Sequence, residues 1–246
     1  ETIVSIIQVK NPRDAVILLR LVRQVFDNHL QAFELLNKKG LEFLERFNFS
    51  FHEPFSSRGE WMILAEIAGP SLFDLKVKFE NTLNNALEQN YIIDAVIAQN
   101  ETQAKNLWYI RENMSEANRR MGAVCSSDVS VPISKISSFI DSAEMRVKSF
   151  SKDLQINCFG HLGDGNIHFN IFPPYGKTKK DFIHLTDNLT DAIHEAALDF
   201  GGSFSAEHGI GRLKVADLKK YGDPGKLEAI NLIKKALDPN QILNRG

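Results

Sequence analysis

The apolar positions of the chain fall into runs of two kinds, and their periods predict the elements. Residues 2–9 (Thr-Ile-Val-Ser-Ile-Ile-Gln-Val) are apolar almost throughout, as in a buried strand. Asn11-Pro12 then offers an N-cap and a proline at the first helical position. Ala15, Leu18, Leu19, Val22, Val25 and Phe26 repeat at helical spacing, which predicts a helix from about Pro12 to Phe26. Strands are expected over residues 30–36 and 61–68, with Gly69-Pro70 as a turn. Leu72, Leu75, Phe79, Leu83 and Leu87 form the next helical stripe, and residues 91–98 another strand. The order βαββαβ over residues 2–98 is the split, ferredoxin-like pattern. The expected class is therefore α+β: an antiparallel ferredoxin-like core, extended by further strands and helices.

Beyond residue 98 the pattern continues. Asn100 and Gln103 have the spacing of a capping box, opening a helix that carries Ala104, Leu107, Trp108, Arg111 and Ser115 along one face. A strand is expected at 128–132, a helix at 136–150 and a hairpin within 155–172. Phe182, Leu185, Leu189, Ile193, Ala197 and Phe200 make a long helical stripe closed by Gly201-Gly202. A short strand over 203–206 leads into a glycine-rich loop, and two helices follow, Asp238-Pro239 stopping the last.

The hairpin carries the first candidate chemistry. Asp164-Gly165 is a two-residue turn signal between strand-like runs. With the turn there, Leu162 faces Ile167 and His161 faces His168, their Cβ atoms roughly 4.5–5.5 Å apart. Ile167, Phe169 and Ile171 then share the opposite, apolar face, while His161, His168, Asn166 and Asn170 share the polar one. Two converging imidazoles suit a divalent metal that takes nitrogen ligands. A histidine pair on a solvated hairpin is the competing reading, although a polar face without Lys, Glu or Thr is unusual for mere solvation.

Two further segments bear on this site. In Ser205-Ala206-Glu207-His208-Gly209-Ile210-Gly211, a carboxylate and an imidazole are adjacent, and both can enter one site only if the chain turns, which Gly209 and Gly211 permit. Glu207 would complete a two-histidine, one-carboxylate set with open positions. His208 would be left for proton transfer. The alternative is a helix N-terminus with His208 exposed. Arg111 stands where its stripe calls for an apolar residue. It either holds an anion or covers Trp108 with its stem while its head reaches water. His184 and His194 fall off their helix's apolar stripe and are expected to be solvated. His29 and His52 have no partners in sequence. No dinucleotide fingerprint, phosphate-cradling loop or nucleophile elbow is present.

Composition narrows the classes. Lys plus Arg number 29 against 31 Asp plus Glu, a formal charge of -2, which argues against a nucleic-acid-binding surface. No apolar run is long enough to span a bilayer as a helix. Cys125 and Cys158 lack metal-type or redox-type spacing and are expected to be reduced thiols in a reducing, cytoplasmic compartment. The chain opens on Glu1 directly into a strand-like run, as expected of a piece of a longer protein.

Taken together, Gly160-His161-Leu162-Gly163-Asp164-Gly165-Asn166-Ile167-His168 and Glu207-His208-Gly209-Ile210-Gly211 resemble the C-terminal domain of the FAD-linked oxidases of the vanillyl-alcohol oxidase superfamily. The resemblance extends over nearly the whole chain. It includes Leu107-Trp108-Tyr109-Ile110-Arg111-Glu112, Asp128-Val129-Ser130-Val131-Pro132 and the closing Leu237-Asp238-Pro239-Asn240-Gln241-Ile242-Leu243-Asn244. It implies a single substrate and cap domain over residues 1–246, closing on FAD held mainly by an N-terminal domain that this chain lacks. It implies oxidation of a D-2-hydroxy acid (D-lactate, glycolate or D-2-hydroxyglutarate class) to the 2-keto acid in the intact protein, with hydride transfer to FAD. Electrons would pass on to an electron-transfer flavoprotein, a quinone or a cytochrome. By the same resemblance His161, His168 and Glu207 are ligands of a divalent metal (Zn, Mn or Fe) and His208 is the general base. Arg111 grips a substrate carboxylate, Ser115 supplies a hydroxyl beside it, Asn170 is polar near metal and substrate, and Asn244 lies close to the flavin. Two departures stand out. Members using dicarboxylates tend to carry a Lys near Cys125-Ser126-Ser127, where this chain has Ser126, and Arg245 replaces the proline of the terminal motif. The competing functions are a metal-dependent hydrolase and a non-catalytic ferredoxin-like interaction domain.

Overall fold

The computed structural model describes residues 1–70 and 74–243. Leu72 of the predicted helical stripe, and Asn244 and Arg245 of the terminal motif, lie outside them. The first strand, β1 (Thr2–Val9), leads to α1 (Pro12–Phe26), whose Asn11 cap accepts a hydrogen bond from the Asp14 amide at 2.9 Å. Then follow β2 (Leu30–Asn37), α2 (Lys38–Arg46), β3 (Trp61–Ala68), α3 (Leu75–Glu88) and β4 (Ile92–Ile97). The strands pair antiparallel in the order β4-β1-β3-β2, the ferredoxin-like arrangement expected from the sequence. Val25 and Leu87, counted in the helical stripes, are about half exposed.

One element was not anticipated. Helix α2 opens Lys38-Lys39-Gly40, which reads as a polar turn, yet Asn37 caps it by accepting from the Lys39 amide, and Leu41, Phe43 and Leu44 are buried. A Cβ at Gly40 would stand 2.9 Å from the tip of the Met114 side chain, so the glycine lets α2 lie close against the next helix without displacing it.

That helix, α4 (Glu101–Met121), begins at Asn100, whose side chain accepts from the Gln103 amide; Gln103 reaches back to the amide of Gln99 rather than of Asn100. After it come β5 (Cys125–Ser130), α5 (Ile136–Phe150), β6 (Gln155–His161), β7 (Asn166–Phe172) and α6 (Thr186–Asp199), with α7 (Val215–Tyr221) and α8 (Pro224–Leu237) last. Residues 179–185 of the long predicted stripe form a 3-10 turn before α6. The expected strand over 203–206 is a single bridge, Ser203 to Ser130. Among the described residues no helix is long and apolar enough to cross a membrane.

Among the described residues, strands β6-β7-β5 extend the sheet to seven, joined to β2 only through the pairs Glu34–His161 and Leu35–Gly160. Helices α1, α3, α5 and α6 cover one face of the sheet, and α2 and α4 the other. Alternate residues of β1 and β3 feed the two cores: Ile63 and Ala65 pack on one side, Met62 and Leu64 on the other. Burial on both faces explains why these strands read as unbroken apolar runs. Both cysteines are free and buried.

Candidate metal centre and substrate cavity

The hairpin places the two histidines on one face, though not in the expected register. His168 lies opposite Phe159, not His161, and Asn170 opposite Asn157. The strands are joined by a 3-10 turn over Leu162–Asp164, with Gly165 left-handed at φ +75° and its amide bonded to the Leu162 carbonyl. Leu162 is fully buried, so the turn is drawn onto the core, and Arg23 of α1 donates to the Gly163 carbonyl at 2.8 Å. The pairing thus slips by two residues. Because side chains alternate with period two, a slip of two preserves the face, whereas a slip of one would have reversed it. The turn has no room for a side chain at Gly165, where a Cβ would stand 2.2 Å from the Val131 carbonyl. Gly165→Ala is expected to destabilise the protein by on the order of 1–3 kcal/mol, and a denaturation midpoint equal to wild type would contradict this.

Each histidine is oriented by a buried carboxylate. His161 stands opposite Glu34 across the β2–β6 seam, and its Nδ1 lies 2.8 Å from Glu34 Oε1. His168 Nδ1 is 3.3 Å from Asp128 Oδ1, on the neighbouring strand β5. With both Nδ1 atoms turned to carboxylates, both Nε2 atoms face Glu207, at 3.7 Å for His161 and 3.4 Å for His168. One ligand atom from each of the three residues lies within 4.8 Å of the others. Two bare imidazole nitrogens aimed at a carboxylate repel it unless a proton or cation stands between them. For ligand bonds of about 2.1 Å, neighbouring donor atoms stand about 3–4 Å apart, so the donor set fits a divalent ion. Carboxylates behind the ring nitrogens are the arrangement that orients metal-binding histidines.

Glu207 reaches the site because Asp128 ties down its loop. Asp128 Oδ2 accepts hydrogen bonds from the amides of Glu207 and His208, at 3.2 and 3.0 Å, and its carbonyl accepts from Ala206. Gly211 makes the left-handed step further on (φ +51°), but the turn at Glu207-His208 is held by this carboxylate. Burial pushes the Asp128 carboxyl up; contact with His168, the His208 amide and the two imidazoles outweighs it and holds the group well below the usual carboxylate range. His208 is exposed, its ring lies beside that of His168 with centroids 6.4 Å apart, and its Nδ1 is 3.6 Å from Asp128 Oδ2.

Arg111 is buried, and its Nε donates to Glu34 Oε2 at 2.8 Å while the guanidinium stacks 4.9 Å over the Phe159 ring. Glu34 thus joins Arg111 to His161. These groups open onto a cavity of about 690 Å³ that Ser115, Ser126, Asn170 and Lys179 also line. Asn170 is buried, and its amide nitrogen is spent on the carbonyls of Asn157 and His168.

The whole of residues 2–246 matches the family model described as "FAD linked oxidases, C-terminal domain". The chain belongs to the FAD-linked oxidase C-terminal domain family. It is 33% identical over 215 residues to the mitochondrial D-2-hydroxyglutarate dehydrogenase of Arabidopsis thaliana, covering 87% of this chain and 37% of that protein. It is 34% identical over 165 residues to the D-2-hydroxyglutarate dehydrogenase of Stutzerimonas stutzeri, covering 67% and 35% respectively. Against the Xanthomonas citri pv. viticola enzyme of the same name the identity is 31% over 217 residues, covering 88% and 45%. The chain therefore spans less than half the length of these relatives. Among solved structures, p-cresol methylhydroxylase with substrate bound shares the fold, with a TM-score of 0.67 at 13% identity over 99% of this chain and 52% of that one. The 4-ethylphenol oxidase of Gulosibacter chungangensis does so with a TM-score of 0.57 at 16% identity, covering 99% and 53%.

Of the site residues expected for this FAD-linked oxidase domain, His161, His168, Glu207, His208, Arg111, Ser115 and Asn170 all line the one cavity, and Asn244 lies outside the described residues. Glu34 and Asp128 were missed. The available signal was an acid inside each otherwise strand-like run, Phe33-Glu34-Leu35 and Ser127-Asp128-Val129. A further expectation fails: His194 is buried, not solvated, against the rings of Phe204 and Tyr221, because α7 covers that flank of α6. His184 is exposed, as expected.

Proposed function

We propose that this chain is the substrate-binding and catalytic part of a flavin-dependent dehydrogenase that oxidises a D-2-hydroxy acid to the 2-keto acid. The observation that carries the reading is the convergence of two imidazoles and a carboxylate within 4.8 Å on the wall of a cavity that also presents His208 and Arg111. Membership of the FAD-linked oxidase family and likeness to proteins named D-2-hydroxyglutarate dehydrogenase support the class. FAD is assigned mainly to the remainder of a longer protein.

His161, His168 and Glu207 would hold a divalent cation, and Zn, Mn and Fe all suit two imidazoles and a carboxylate. When bound, the cation supplies Lewis acidity toward the substrate hydroxyl, and the flavin supplies a two-electron acceptor. Arg111 binds the substrate carboxylate: Glu34 and the Phe159 ring fix its plane, and among the described residues its terminal nitrogens take no hydrogen-bond partner. Ser115, one turn along α4, places a hydroxyl on the same wall. His208 accepts the hydroxyl proton. Its Nδ1 faces Asp128 Oδ2 at 3.6 Å, which leaves Nε2 for the substrate.

The test is anaerobic mixing of the full-length flavoprotein with D and L forms of 2-hydroxy acids. The flavin is expected to bleach with D isomers alone, to stop bleaching after chelation and to recover with added Zn, Mn or Fe. Equal bleaching by L isomers, or none by any acid, would reject the reading.

A further inference from the structure

Glu207 and His208 sit on a loop with little packing of its own. Glu207, His208 and Gly209 are exposed, as are Gly211, Arg212 and Leu213. Asp128 grips the loop at two adjacent amides. A single grip leaves the chain free to pivot about it, so the position of both side chains depends on how the two ends of the loop are held.

The two ends converge on His194 of α6. On the entering side Ser203 bridges to Ser130 of β5, and the next residue, Phe204, is buried with its ring centroid 5.7 Å from the His194 imidazole. On the leaving side α7 brings Tyr221, whose ring stands edge-on to the same imidazole at 6.0 Å and lies 5.9 Å from Phe204. Three rings from three segments therefore contact one another in pairs, at separations where aromatic rings attract beyond their burial. Polar contacts follow the same path. The Tyr221 hydroxyl donates to Asp191 of α6 at 2.8 Å, and Lys214, at the foot of α7, donates across the loop to the Ser205 hydroxyl at 3.0 Å. His194 serves here as a ring: its Nδ1 is buried without a hydrogen-bond partner among the described residues, Asp217 Oδ1 being 3.9 Å away, and burial holds its pKa below the ordinary value, which favours the neutral imidazole.

We propose that His194, Phe204 and Tyr221 form a clasp across the base of this loop and are positioning residues, holding Glu207 at the two imidazoles and His208 beside them. None of the three lines the cavity, so they act through the loop alone. The inference rests on the reading of the site given above and adds residues that no part of the cavity wall reveals.

The experiment uses the full-length flavoprotein as wild type, Tyr221→Ala, Tyr221→Phe and, as a control, Leu83→Ala, which opens the buried core beneath α3 away from the loop. Three quantities are read at a temperature where every variant is folded: the rate of tryptic cleavage after Arg212 in metal-free protein, the affinity for Zn by competition with a chelator, and kcat and KM at saturating metal. Tyr221→Ala is expected to accelerate the cleavage, to weaken Zn binding about 10–100-fold, and to lower kcat far more than it alters KM. Tyr221→Phe keeps the ring and should recover most of each loss, and Leu83→Ala should move neither cleavage nor Zn affinity. Should Tyr221→Ala fail to fold, Tyr221→Leu, which keeps apolar bulk without ring faces, carries the same expectations. Wild-type cleavage and Zn affinity in the truncated variant would overturn the clasp. So would equal effects in Leu83→Ala, which would mark general loss of stability, or failure of Tyr221→Phe to recover, which would move the role to the hydroxyl bond with Asp191. If the wild type binds no divalent cation or oxidises no D-2-hydroxy acid, the functional reading fails separately, and the cleavage rate after Arg212 still decides on the clasp.

Discussion

Replacing His208 by alanine in the full-length flavoprotein should lower kcat by about 10²–10⁴, the range for loss of a positioned general base. Metal content should stay near the wild-type value, because His208 is not among the three residues whose donor atoms converge. The loop should also keep its place, since Asp128 holds it through the amides of Glu207 and His208, which the substitution leaves intact. Stopped-flow flavin reduction read beside elemental analysis is therefore diagnostic. Near-normal reduction would remove His208 from proton transfer, and loss of metal would make it a ligand. Glu207→Gln should behave in the opposite sense, losing metal first and activity as a consequence.

Glu34→Ala should be the most damaging substitution for stability. Glu34 is 5% exposed and accepts from both Arg111 and His161, so its loss leaves a guanidinium buried and unpaired and releases one imidazole. Removing one partner of a buried ion pair costs about 3–5 kcal/mol, and loss of a carboxylate behind a ligating histidine weakens metal binding about 10–100-fold. Urea unfolding and competition with a chelator measure the two effects. Glu34→Gln, which keeps the shape and one acceptor, should recover part of the stability. A stability loss below about 1 kcal/mol in Glu34→Ala would mean that Arg111 finds water or another acceptor, and that the seam between β2 and β6 does not depend on this carboxylate.

Much of the fold was legible because local rules and packing agree. The Asn11-Pro12 start of α1, the apolar runs of β1 and β3 and the stripe of α4 each carry their period within a few residues of one another. Helix α2 was not legible, because Gly40 weakens its propensity and the close approach of the Met114 side chain at that position comes from a distant helix. The two histidines could be placed on one face from sequence, since strand alternation depends on parity alone. Their register could not, since the turn is set by the burial of Leu162 and by Arg23, 140 residues from the carbonyl it binds.

The local sequence therefore settled which residue types face a common side: two imidazoles, an acid-imidazole pair beside glycines, and a polar intruder in the stripe of α4. Their partners came from elsewhere in the chain. Glu34 meets Arg111 across 77 residues and His161 across 127, and Asp128 meets the Glu207 amide across 79. Periodicity reports the direction of a side chain relative to its own strand or helix. Which buried charge neutralises which depends on how strands are ordered in the sheet, and here on two pairs of residues that join β2 to β6.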